Sequence, residues 1–298
     1  MENTNYLIEG RKTFFITPDA TLLPEFYLQD YFAHGYESYI INDDRYCPLD
    51  KKIESLISIF PDSIFFFYID SEVEGISWPT YIRDLQEKYS NKILIGVLYQ
   101  KRHKEVEKNR LEKFYLFDIG IQGGCISLEY QKAKNFVLID KVMFANQACG
   151  RRKNIRAICD DSSKISFYHK GFLYKGRLSD ISLTHFSCTL QNDFDIPLYE
   201  KVHGAYIDLN GLHFKTDAIL LMDRVINNTK IYVFVFTKTD GFQGLELDVK
   251  GRLSEKIYKL VTDKVKTIMQ MVFDEIGKNY REHTHHTTFA PKDLFRQE

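Results

Sequence analysis

The sequence predicts two domains of different class: an α/β domain with a doubly wound parallel sheet over residues 1–146, then an all-β antiparallel barrel over 147–252, followed by an amphipathic helix and tail over 253–298. Three observations predict this. Through the first half, short apolar runs alternate with segments of helical spacing, the pattern of parallel β-α units. After Gly150 the runs become period-two stretches separated by turn residues, the pattern of an antiparallel barrel. From Ser254 onward, apolar residues return at helical spacing over nearly thirty positions.

The elements follow in order. Thr13–Thr17 (TFFIT) reads as a buried strand, Pro24 to His34 as a helix that Gly35 can cap, and Tyr36–Ile41 as the second strand. Leu49 to Phe60 has helical spacing at Ile53, Leu56, Ile57 and Phe60, and Pro61-Asp62 stops it. Ser63–Ile69 (SIFFFYI) is the third strand, Trp78 to Tyr89 a helix and Lys92–Tyr99 (KILIGVLY) the fourth strand. Lys104 to Asp118 reads as a charged helix, Gln122–Leu128 as a fifth strand and Glu129 to Ala145 as the closing helix. Near-continuous apolar strands suit a sheet covered on both faces, and five such units match a flavodoxin-like domain. In the second half, Lys164–His169, Ala205–Leu209 and Lys230–Thr237 alternate in and out. Turn signals fall at Asp160-Asp161, Gly171, Asn192-Asp193, Asn210-Gly211 and Asn227-Asn228. Ser254 is the predicted N-cap of a helix reaching Tyr280, with Ile257, Leu260, Val261, Val265, Ile268, Met269, Val272, Phe273 and Ile276 in its apolar stripe.

The composition narrows the function classes. With 40 basic against 41 acidic residues, the chain lacks the basic excess of a nucleic-acid polymer binder. Five cysteines stand singly, without a C-x-x-C pair, which excludes a disulfide framework or zinc-knuckle spacing and implies a reduced, cytoplasmic setting. The N-terminus has no signal-peptide core, and no apolar run reaches the roughly 20 residues of a membrane span. Gly123-Gly124 lacks the remainder of a phosphate loop, and no nucleophile–base–acid set emerges. No catalytic residue, metal or cofactor is therefore assigned.

One constellation carries chemistry. Arg151-Arg152-Lys153-Asn154-Ile155-Arg156 leads into the β-rich region, and Asp180-Ile181-Ser182-Leu183-Thr184-His185 follows 24 residues after Arg156. An arginine pair four apart, then D-x-S on a later strand, resembles the PilZ family, whose pattern is R-x-x-x-R followed by D/N-x-S-x-x-G. Arg152 and Arg156 match the first half, Asp180 and Ser182 the second, and His185 stands where the family has glycine. The resemblance covers about residues 147–252. It implies a PilZ-like six-stranded barrel that binds the bacterial second messenger cyclic di-GMP. Arg151, Arg152, Arg156, Asp180, Ser182 and His185 are then the ligand-binding candidates. The chemistry agrees: an arginine fork binds phosphate bidentately and stacks on a base, and the Asp180 carboxylate can accept from guanine N1–H and N2–H. A basic residue at Arg151 is associated in the family with two intercalated ligand molecules per chain. The implied role is an effector that relays ligand level, by domain reorientation, to a protein partner such as motility or envelope machinery.

Simpler readings stand beside each feature. Arg151–Lys153 can be a solvated linker, and Asp180-x-Ser182 an Asx or Ser turn. His185 can stack on a base, edge the pocket or block it, and the barrel can be an adaptor that has lost its ligand. An enzyme with an unrecognised site in the α/β domain is the alternative of a different class. The first half resembles a receiver domain, with Asp70 where the phospho-acceptor sits. However, Asp19 stands alone after the first strand, Tyr99-Gln100 replaces the expected Ser or Thr, and the end of the fifth strand gives no clear lysine in a Lys-Pro setting, so phosphorylation is not expected. Asp43-Asp44 and Asp160-Asp161 read as turn acids, and His283, His285 and His286 as a solvated cluster.

Overall fold

A computed structural model describes residues 11–17, 26–44, 46–150, 154–192 and 197–287, the last seven as backbone only. The chain forms two compact units, one comprising residues 1–31, 36–150 and 265–298, the other 32–35 and 151–264.

The first unit is α/β. Its strands are β1 (Lys12–Ile16), β2 (Glu37–Ile41), β3 (Ser63–Tyr68), β4 (Ile93–Gln100) and β5 (Gly124–Leu128). They form an all-parallel sheet in the order β2-β1-β3-β4-β5, the doubly wound arrangement expected from the alternating pattern. The helices are α1 (Phe26–Ala33), α2 (Leu49–Ile59), α3 (Trp78–Tyr89), α4 (Glu105–Lys113) and α5 (Lys132–Ala145). Strand pleating sends Phe14, Ile16, Phe65, Phe67, Ile95 and Val97 into one core with Ile53, Leu56 and Ile82. It sends Phe15, Ile64, Phe66 and Leu98 into the other with Leu28, Ile139 and Met143. This two-sided burial is why the strands read as continuous apolar runs. Lys12, at the buried start of β1, is matched by Glu37 on β2 at 2.7 Å, and Tyr39 donates to the same carboxylate oxygen at 2.7 Å.

Two expectations change. The predicted helix from Lys104 to Asp118 is α4 followed by a π-helical turn, Phe114–Ile119, that buries Tyr115 and closes at Gly120 with φ +81°. The last helix, α6, runs from Leu247 to Thr287, so Ser254 lies inside it and is not its N-cap. Burial of Leu253 and Ile257 in the barrel core, with Val249 packed against it, holds the earlier turns helical. Farther along, Val265 and Met269 enter the α/β core. Gly277 admits the ring of Tyr46, which a Cβ would meet at 2.6 Å.

The second unit is the barrel. Its strands are β6 (Ala157–Ile158), β7 (Lys164–His169), β8 (Phe172–Ile181), β9 (His185–Leu190), β10 (Lys201–Leu209), β11 (Leu212–Ile226) and β12 (Thr229–Thr237). The order β8-β7-β10-β11-β12-β9 closes through a β8–β9 pairing, so six antiparallel strands make the ring and β6 adds to β8. Three two-residue hairpins match the turn residues read from the sequence. Lys170-Gly171, Asn210-Gly211 and Asn227-Asn228 all have positive φ at both positions, as type I′ turns require. Ile165, Phe167, Leu178, Phe186, Ile207, Phe214 and Phe234 fill the interior, with Phe186 and Phe234 stacked at 5.1 Å. Among the described residues, no helix is long and apolar enough to cross a membrane.

Candidate functional site

The two half-motifs meet on the barrel. Arg156 directly precedes β6, whose two residues pair with the end of β8: Ile158 lies opposite Asp180 and Ala157 opposite Ile181. Ala157 and Ile181 are buried in the core, which pins the strand carrying Arg156. Arg156 Nη1 then lies 3.2 Å from Asp180 Oδ1, across 24 residues of sequence. The two side chains are 29% and 22% exposed. An ion pair this open to water is worth about 0–1 kcal/mol, so either group can be exchanged for a ligand at small expense.

A bulge sets the other side. Leu178 pairs with Cys188 and Asp180 with Ser187, so Ser179 is the extra residue. Ser187 becomes the direct cross-strand neighbour of Asp180 and donates its hydroxyl to Asp180 Oδ2 at 2.6 Å. Sequence reasoning missed Ser187, since its place depends on the register and on that one-residue bulge. Burial, reinforced by the Asp180 charge, pushes the nearby Cys159 thiol up to about 12, so it is not a nucleophile at neutral pH.

The β8–β9 turn uses Ser182. It is 1% exposed. Its hydroxyl donates to the His185 carbonyl at 3.1 Å and accepts the His185 amide at 3.1 Å, while its own amide donates to the same carbonyl at 2.8 Å. Ser182 thus shapes the turn that presents His185, the turn reading that stands beside its ligand reading in the sequence. His185 belongs to β9 opposite Val235 and is not among the left-handed residues. Histidine stands here, where the PilZ pattern has glycine, without backbone strain. Its Nδ1 lies 2.8 Å from Thr184 Oγ1, which also accepts from Asn154 Nδ2 at 3.3 Å. Burial, and after it the Arg156 guanidinium, holds the imidazole below the ordinary histidine range, so it is neutral at pH 7. Arg151 and Arg152 lie outside the described residues.

Asp70 is ion-paired with Arg102 through Oδ1, and Oδ2 accepts the Gln100 amide at 2.7 Å. A guanidinium occupies the carboxylate that would have to take phosphate; Asp19 lies outside the described residues. Treatment with acetyl phosphate is expected to leave the chain unmodified by mass spectrometry. A phosphate adduct that disappears in Asp70→Asn would show the opposite. Among the described residues, no group of three His, Cys, Asp or Glu side chains can hold a metal; the side chains of His283, His285 and His286 fall outside them. Asp44 and Asp160 are turn acids, Asp44 accepting the Tyr46 and Cys47 amides and Asp160 the Ser162 amide.

No protein-family model and no curated protein matches the chain. Among solved structures, the chain is similar at 16% identity and TM-score 0.36 to YcgR in complex with c-di-GMP from Escherichia coli, over 41% of this chain and 51% of that one. It is similar to the PilZ domain of the same YcgR with c-di-GMP, at 16% identity and TM-score 0.34, over 40% of this chain and 97% of that one. It is also similar to the K. pneumonia MrkH–c-di-GMP complex, at 16% identity and TM-score 0.35, over 39% of this chain and 55% of that one. The match thus spans about half the length of the YcgR and MrkH chains, and the likeness is one of fold.

Proposed function

We propose that the chain is a cyclic di-GMP-binding effector, not an enzyme. Arg156 and Asp180 form the described part of its site, and Arg151 and Arg152 supply further cations from the segment before β6. The observation that carries this reading is the Arg156–Asp180 pair: a phosphate-type cation and a guanine-type acceptor, 24 residues apart, side by side on one face of a closed barrel. The ligand supplies what each lacks when they are separated, phosphate for the guanidinium and N–H donors for the carboxylate. Ligand binding at the segment before β6 reorients the two domains and passes the signal to a protein partner.

Calorimetry with cyclic di-GMP tests the proposal. Saturable binding by the wild type is expected, at about two ligands per chain if Arg151 screens the phosphates of a stacked pair, and about one for Arg151→Leu. A wild type that takes up no ligand at any concentration would refute the effector reading. His185→Gly is expected to preserve or strengthen binding if the imidazole merely edges the site. A loss of about 1–3 kcal/mol would instead show that the ring stacks on a base. Binding gained only in His185→Gly would identify the native chain as an adaptor.

A further inference from the structure

We infer that Ser187 is the positioning residue of this site: it fixes the plane of the Asp180 carboxylate and thereby favours a guanine edge over an adenine edge. The inference rests on the function proposed above. Ser187 is 2% exposed, and a hydroxyl buried to that degree needs an acceptor. It meets Asp180 Oδ2 at 2.6 Å, while Asp180 Oδ1 is held by Arg156 at 3.2 Å. The carboxylate is gripped at both oxygens, from β9 on one side and from the segment preceding β6 on the other.

The two grips differ in permanence. Arg156 reaches the carboxylate with a long, part-exposed side chain and can leave it for a phosphate. Ser187 is set by the backbone pairing of Asp180 with Ser187 and by the bulge at Ser179, so its hold persists when Arg156 moves. Each carboxylate oxygen keeps a further lone pair. A guanine presents two parallel donors, N1–H and N2–H, which suit a carboxylate locked in one plane. Adenine presents a donor beside the N1 acceptor, whose lone pair faces an ionised carboxylate unfavourably. Holding the plane therefore adds to the guanine complex and gives adenine nothing.

The test is a double-mutant cycle by calorimetry on the full chain with cyclic di-GMP, with cyclic di-AMP as the second probe. Ser187→Ala is expected to weaken cyclic di-GMP about tenfold, the scale of one hydrogen bond to a charged group. Ser187→Thr, which keeps the hydroxyl, should restore most of it. In the Asp180→Ala background the alanine change should have no further effect, because the residue acts only through that carboxylate. The ratio of cyclic di-GMP to cyclic di-AMP affinity should narrow in Ser187→Ala. Should alanine unfold the barrel, Ser187→Cys gives the same information, since it keeps the volume with a weaker donor. Equal loss in the presence and absence of Asp180, or an unchanged affinity in Ser187→Ala, would overturn the positioning role while leaving the site in place. No binding by the wild type would overturn the site itself and this role with it.

Discussion

Arg156→Ala is expected to weaken cyclic di-GMP binding by about 2–4 kcal/mol, the scale for removing one partner of a desolvated charge pair. The loss falls on the complex: the ligand phosphate forfeits a fork donor, whereas the ion pair at Asp180 Oδ1 is given up on binding in any case. The free protein should barely notice: the pair is part-exposed, and its neighbours Ala157 and Ile181 carry the strand packing. The predicted signature is thus a large affinity change with a thermal midpoint close to that of the wild type. Arg152→Ala should behave alike, and Asp180→Ala should lose about 1–3 kcal/mol. Calorimetry paired with thermal unfolding separates the cases. Wild-type affinity in all three variants would mean that the site lies elsewhere, and a collapse of stability in Arg156→Ala would mean that the pair is structural.

Gly176→Ala should have the opposite signature, a large loss of stability. Gly176 pairs with Ile165 on one side and Leu190 on the other. A Cβ there would sit 2.0 Å from the Thr189 carbonyl oxygen. That obstacle is backbone, so no rotamer change relieves it, and the strand pair that must spread is the one closing the ring. Overpacking of this kind costs about 3 kcal/mol, read as a shift in the urea midpoint. Gly251→Ala is the matched control: nothing lies within 4 Å of its Cβ, and it stands inside α6. There alanine should be neutral or stabilising by up to about 1 kcal/mol. A Gly176→Ala protein within about 0.5 kcal/mol of wild type would show that the β8–β9 seam is looser than its geometry indicates.

The sequence by itself determined what depends on local periodicity and local backbone chemistry. Continuous apolar runs between helical stretches specified a parallel sheet, because strands buried on both faces leave no polar alternation. Asn210-Gly211 and Asn227-Asn228 specified hairpins, because few other residues adopt two successive positive φ angles. R-x-x-x-R and D-x-S named Arg156 and Asp180, since residue types and spacing are visible in one dimension. Tertiary structure alone decided which partners those residues have. The single extra residue at Ser179 rotates the end of β8 so that Asp180, and not its neighbour, faces Ser187. Ser182, which carries a ligand-like motif position, has its hydroxyl consumed by a turn that exists only because β8 and β9 pair. The start of α6 moved from Ser254 to Leu247 because Leu253 has a barrel core to enter, and Asp70 is neutralised by Arg102, 32 residues away, because β3 and β4 lie side by side. For the strand residues the physical reason is the same: a strand's register with a distant strand selects contacts that no pattern within either strand encodes.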